Sequence, residues 1–216
     1  MKHVDHTLLA ADTVSGDIIR LCKEADKFGT ASVCIPPSYV SLAKERYPAL
    51  NVCTVIGFPL GYSSTSAKLA EARDAIRDGC DELDMVINIS WAKNGEFGRI
   101  TDEIAALKKT AGDKVLKVII ETCYLTEEEK ISLCKCVTEG GADYIKTSTG
   151  FGTAGATLGD IELFKKHIGA GVKIKASGGV KTREDLLAYL NAGCDRIGAS
   201  SAITALYGKP INQQSN

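Results

Sequence analysis

The chain has 216 residues, with 27 acidic against 26 basic side chains and a formal net charge of −1. That balance excludes the basic footprint of a nucleic-acid or membrane-surface binder, and the length suits one large domain or two small ones with ample core. The N-terminus, Met1-Lys2-His3-Val4-Asp5-His6, is charged and no apolar run reaches about 18 residues, so neither a signal peptide nor a membrane span is expected and a cytosolic location is.

Short β-branched runs recur along the chain: 3–6, 31–35, 52–56, 83–87, 115–120, 144–146, 172–175 and 196–199. Each reads as a strand. Amphipathic helical segments separate them, among them Ser66 to Asp78 and Thr126 to Glu139, the latter opening on a threonine cap with Glu129 as its capping-box partner. Gly29, Gly79, Gly140, Gly171 and Gly193 stand where helices should stop. Eight β-α units in about 200 residues predict a single (β/α)8 barrel over 1–208, followed by a loose tail over 209–216. An open doubly wound sheet is the alternative, but Thr7-Leu8-Leu9-Ala10 follows the first strand where that fold places a glycine-rich turn.

Eight cysteines are spread over the chain without a C-x-x-C pair, and the three histidines complete no zinc pattern. They read as reduced thiols, mostly small core hydrophobes, and no metal or other cofactor is expected.

Strand residues alternate between faces, and a barrel turns its apolar set outward toward the helices. That rule sends Val4, Val33, Ile35, Leu83, Met85, Leu116, Val118, Ile120 and Ile145 outward. It sends Asp5, Cys34, Asp84, Glu121, Lys146 and Lys175 inward, at or near the strand ends where barrel active sites lie. Lys117 and Lys173 also point inward but nearer the strand starts, as plug residues. A lone lysine after a strand is ordinarily a solvated loop residue, and inward acids such as Asp5 and Glu121 can be structural ion pairs. Two inward lysines are harder to explain structurally, because like charges repel at low dielectric. The same repulsion favours a neutral, nucleophilic amine on one of them, with Asp84 at hand to carry a proton.

The last two strands end in Lys175-Ala176-Ser177-Gly178-Gly179-Val180 and Gly198-Ala199-Ser200-Ser201. Loops at these two positions of a barrel often hold a phosphate, with glycine N–H groups and serine hydroxyls as donors and the serines capping the next helix. A Gly-Gly pair by itself is ordinarily a turn and a Ser-Ser pair a cap.

Four segments carry a family resemblance: Asp143-Tyr144-Ile145-Lys146-Thr147-Ser148-Thr149-Gly150-Phe151-Gly152, the Lys175 to Val180 segment, Glu82-Leu83-Asp84-Met85-Val86-Ile87-Asn88, and Asp5-His6-Thr7-Leu8-Leu9. In order and spacing they resemble the motifs of deoxyribose-phosphate aldolases. The resemblance implies a metal-free aldolase that reversibly cleaves 2-deoxy-D-ribose 5-phosphate to D-glyceraldehyde 3-phosphate and acetaldehyde. It implies Lys146 as the Schiff-base lysine and Asp84 with Lys175 as a proton relay, Lys175 also favouring the neutral Lys146 amine. Substrate contacts are implied for Asp5, Thr7, Cys34, Thr149, Gly150, Gly178, Gly179, Gly198, Ser200 and Ser201, and a homo-oligomer, dimer or tetramer, is implied as well. Two departures stand out: Ala10-Ala11 where many members have Lys-Pro, and Phe151 where some have a lysine that would touch phosphate. A different phosphate-binding barrel, a lyase or a sugar-phosphate isomerase, would share the glycine and serine loops but has no use for two inward lysines. A catalytically dead barrel kept as a binding module would have lost a lysine or Asp84, and all three are present.

Overall fold

A computed structural model describes residues 1–208; the tail expected over 209–216 lies outside the described residues. Eight strands run in chain order: β1 (Val4–Thr7), β2 (Ser32–Ile35), β3 (Val52–Ile56), β4 (Glu82–Val86), β5 (Val115–Ile119), β6 (Tyr144–Lys146), β7 (Lys173–Ser177) and β8 (Arg196–Ala199). All neighbours are parallel and β8 returns to β1, pairing Gly198 with Asp5, so the sheet closes as a (β/α)8 barrel. The helices are α1 (Ser15–Phe28), α2 (Val40–Arg46), α3 (Thr65–Arg77), α4 (Ile89–Lys93), α5 (Phe97–Ala111), α6 (Glu127–Glu139), α7 (Leu158–His167), α8 (Arg183–Ala192) and α9 (Ala202–Tyr207).

Local chemistry sets these boundaries. Thr126 caps α6 by accepting from the Glu129 N–H at 3.3 Å while the Glu129 carboxylate accepts from the Thr126 N–H at 2.7 Å. Gly29 and Gly193 end α1 and α8 in the left-handed region, at φ +62° and +106°. Gly171 does not end a helix as expected: α7 stops at His167, and Gly171 lies in the turn before β7.

The apolar core is the shell between barrel and helices, where Val33, Ile35, Leu83, Met85, Leu116, Val118, Ile120 and Ile145 pack outward against Leu21, Ile104, Leu133 and Phe164. A smaller cluster, with Val4 and Ile197 against Leu186 and Ala202, seals β1 and β8 beneath α8 and α9. The inner face carries the charged side chains, beside a small apolar patch of Cys34, Cys53 and Val55, so the alternation of the strands also separates the outer core from the site. Lys173 departs from the expected inward plug. It is exposed at the N-terminal rim, its amine 5.7 Å from the centre of the Tyr144 ring, because the barrel there is open to water.

Candidate active site

One carboxylate organises the barrel interior. Asp84 on β4 accepts from Lys146 of β6 and Lys175 of β7 at the same oxygen, Oδ2, each at 2.7 Å. Its Oδ1 accepts from Lys117 of β5 at 2.8 Å and from the Cys53 thiol at 3.1 Å. Lys175 also reaches Asp5 Oδ2 at 2.5 Å, Lys117 pairs with Glu82, and Arg196 bridges Asp5 and Glu82, the latter at 2.8 Å. Lys117 is thus a member of this network and not a plug below it. Four cations (Lys117, Lys146, Lys175, Arg196) face three carboxylates (Asp5, Glu82, Asp84), an excess of one positive charge if all are ionised.

Burial works to raise the Asp84 carboxyl, but Lys117, Lys146 and Lys175 outweigh it and hold the group well below the usual carboxylate range. Asp5 behaves alike: burial is overcome by Lys175, Lys117 and Arg196. Burial works to lower Lys175, and Asp5 with Asp84 reverse this and raise it, so Lys175 remains a cation through the neutral range. Lys117 is raised for the same reason, chiefly by Asp84.

Above this floor opens a cavity of about 490 Å³. Its wall comes from the C-terminal ends of β1, β6, β7 and β8 and the loops that follow them: Thr7 to Ala11, Lys146 with Thr149 to Phe151, Ser177 to Val180, and Gly198 to Ser200. Lys146 is the single charged residue in that wall. Lys117 and Lys175 are fully buried behind it, so of the interior lysines only Lys146 meets a molecule in the cavity. Of the residues expected to touch substrate, Thr7, Thr149, Gly150, Gly178, Gly179, Gly198 and Ser200 line the cavity.

Three do not. Asp5 lies in the floor, held by Lys175, Arg196 and a 2.7 Å bond from the Ser32 hydroxyl. Cys34 is buried with Cys53 and Val55 beneath Leu9 and Phe58; a hydrogen bond to Cys53 lowers its thiol against the effect of burial, but Cys34 is absent from the cavity wall. Ser201 turns its hydroxyl to the Val180 and Lys181 carbonyls and makes no side-chain cap on α9.

The β7 loop presents two successive left-handed glycines, Gly178 at φ +80° and Gly179 at φ +78°. The β6 loop approaches it so closely that a Cβ on Gly155 would stand 2.2 Å from the Gly178 carbonyl oxygen. Glu121, just after β5, holds the β6 loop. It is buried, sits at φ +56°, and accepts from the Thr149 N–H at 3.2 Å and from the Thr149 hydroxyl. Thr149 Oγ1 in turn accepts from the Phe151 N–H at 3.0 Å. Glu121 is thereby a scaffold acid, the structural one of the two alternatives open for it.

Residue pattern understated the floor. Glu82 lies two residues before Asp84 and Arg196 two before Gly198, so alternation places both inward, but their partners come from distant strands and meet only on barrel closure. Leu8, Leu9, Ala10 and Ala11 carry no chemical signal and enter the wall through the path of the β1 loop. Among the described residues, Cys34, Cys53 and Asp84 are the one acid or thiol trio spaced closely enough for a metal ion. The Lys117 amine, 2.8 Å from Asp84 and 3.3 Å from Cys53 Sγ, already supplies the positive charge at that corner.

A family model described as DeoC/LacD family aldolase matches residues 1–213. The chain is 61% identical over 210 residues to a deoxyribose-phosphate aldolase of Clostridium botulinum, covering 97% of this chain and 95% of that relative. Among solved structures, a putative deoxyribose-phosphate aldolase from Coccidioides immitis superposes with a TM-score of 0.91 at 39% identity, over 94% of this chain and 82% of the other. A deoxyribose phosphate aldolase from Aeropyrum pernix, described as tetrameric, superposes at 0.85 and 31% identity, over 95% and 88% of the two chains. With its barrel closed and its interior lysine facing a cavity, the chain belongs to the DeoC/LacD family of aldolases.

Proposed function

We propose that the protein cleaves 2-deoxy-D-ribose 5-phosphate reversibly to D-glyceraldehyde 3-phosphate and acetaldehyde through an imine on Lys146. The observation that carries this reading is that Lys146 alone among the interior lysines reaches the cavity. Its amine adds to the aldehyde carbon of the open-chain sugar, and loss of water gives the iminium. Proton removal from the C3 hydroxyl breaks the C2–C3 bond, releasing glyceraldehyde 3-phosphate and leaving an enamine of acetaldehyde. Protonation at C2 and hydrolysis then free acetaldehyde and Lys146. Asp84, which touches Lys146, takes and returns the protons, with the Lys175 ammonium beside it favouring loss of the Lys146 proton and stabilising negative charge as it develops. Backbone N–H groups of Gly178 and Gly179, with the Ser200 hydroxyl, hold the phosphate, because that side of the cavity has no cation.

A homo-oligomer, dimer or tetramer, in the cytoplasm belongs to the same reading. The tetrameric Aeropyrum pernix relative supports the assembly and eight unpaired thiols support the compartment; light scattering at micromolar concentration tests the first. The activity is tested by a retro-aldol assay on deoxyribose 5-phosphate that detects acetaldehyde, with Asp84→Leu and Lys175→Leu alongside. Wild-type turnover with losses of about a hundredfold or more in each variant is expected. Full activity in both variants would remove the relay.

A further inference from the structure

Two cysteines stand inside the barrel, and the proposed reaction uses neither. Cys34 of β2 and Cys53 of β3 are register partners on adjacent parallel strands, and alternation turns both side chains inward. Adjacent strands lie about 4.8 Å apart, and a disulfide joins Cα atoms about 4.4–6.8 Å apart. The two sulfurs and a carboxylate oxygen of Asp84 all lie within 4.8 Å of one another. The other six cysteines lie outside the strands.

The pair holds its protons unequally. The hydrogen bond with Cys53 favours the Cys34 thiolate, and Lys175 and Lys146 add to it, so this thiol falls below its ordinary value despite burial. Burial, with Cys34 and Asp84 alongside, pushes the Cys53 thiol well above its own. Cys22, Cys80, Cys134, Cys136 and Cys194 are all raised, burial first among the causes. A thiolate beside a protonated thiol is the asymmetry of a dithiol that oxidises in two steps. The route from the cavity to the sulfurs passes Leu9, which lines the cavity and packs on the pair together with Phe58.

We propose that Cys34 and Cys53 form a reversible disulfide that switches the enzyme off when a hydroperoxide oxidises them. The cross-link stands without the imine reading above; the loss of turnover rests on it. The Cys34 thiolate attacks one peroxide oxygen, the O–O bond breaks, and the leaving hydroxide takes a proton to become water. The Cys53 sulfur then attacks the Cys34 sulfenic acid. The S–S bond forms as the S–O bond breaks, and the Cys53 proton leaves with that oxygen as a second water. Two thiols are thereby oxidised and one peroxide is reduced. The Cys53 thiol donates to Asp84 Oδ1 at 3.1 Å, and the Lys117 amine lies 3.3 Å from the same sulfur. Oxidation removes that donor and draws the sulfur onto Cys34, which leaves Asp84 held by its lysines alone.

The test exposes wild type, Cys34→Ser and Cys53→Ser to hydrogen peroxide, blocks free thiols with iodoacetamide, and maps the digested protein by mass spectrometry. Retro-aldol turnover of deoxyribose 5-phosphate is read before and after, each protein against its own reduced form. Wild type should join the peptides that carry Cys34 and Cys53, and dithiothreitol should restore its activity. The loss before that is expected to be about tenfold or more, because proton transfer of the kind assigned to Asp84 is worth about a hundredfold or more. Both variants should stay within about twofold of their reduced forms. If one of them fails to fold, the other and the wild-type map still decide. A wild type without the Cys34–Cys53 link, a link that leaves turnover intact, or variants inactivated as strongly as wild type overturns the switch and leaves the aldolase reading standing. Reduced wild type without turnover overturns both.

Discussion

Two buried lysine sites in this molecule share their chemistry and differ in their accounting. Outside the barrel, Lys68 of α3 faces Glu103 of α5 at 2.8 Å and donates to the Val86 carbonyl at 2.8 Å, one cation for one carboxylate. Inside, three lysines crowd Asp84 and cations outnumber carboxylates. Burial lowers Lys68, whereas the acids around Lys175 raise it. The depressed amine is therefore Lys68, which is fully buried. In the proposed imine mechanism access, not burial or basicity, marks the nucleophile: Lys146 is only 3% exposed, yet it lines the cavity.

The sharpest way to break this comparison is to remove each lysine in turn. Lys146→Leu should lower kcat by about a thousandfold or more with the fold retained, because Asp84 still holds Lys117 and Lys175. Lys68→Met should do the reverse. It strands a buried Glu103 carboxylate at a cost of about 3–5 kcal/mol, seen as a lower urea midpoint, while the KM and imine chemistry of the surviving folded enzyme stay near wild type. If Lys68→Met abolished turnover in folded protein, the outer pair would not be merely structural.

Asp84→Asn should fall between the two and affect both readouts. Its three cations lose their shared anion, so stability drops by several kcal/mol, and kcat falls by about a hundredfold or more. Retention of both would dissolve the floor as described.

A smaller effect is the pH span of stability. Asp84 and Asp5 have folded values below their ordinary 3.8, so the stability they confer is present above that value and lost as the pH falls below it. Lys117 and Lys175 are raised above 10.5, so their contribution is complete below that value and is lost only as the pH rises beyond it. Urea midpoints should shift little between these limits and fall on both sides, and replacing Asp84 by asparagine should flatten the acid limb. A midpoint that declined steadily from pH 8 to pH 5 would contradict this.

Much of the arrangement was legible in the residues. The alternation of Leu83, Asp84 and Met85 already separates a carboxylate from two core side chains, and the same rule brings Lys146 and Lys175 to one mouth. What it could not give was partnership. Asp5 and Cys34 point inward but sit below the wall, since alternation fixes a face and not a depth along the barrel. The pairing of Arg196 with Asp5 depends on β8 closing against β1, which joins the two ends of the described chain. Phe151 has no inward or outward strand position, and its place in the cavity wall goes with its contact to Phe58, ninety-three residues earlier.

The most direct test of the central claim is covalent. Wild-type protein treated with acetaldehyde and sodium borohydride, digested and mapped by mass spectrometry, should carry one ethyl group at Lys146 and none at Lys68, Lys117 or Lys175. An ethyl group at another interior lysine, or an unmodified Lys146, would contradict the assignment of this amine as the nucleophile.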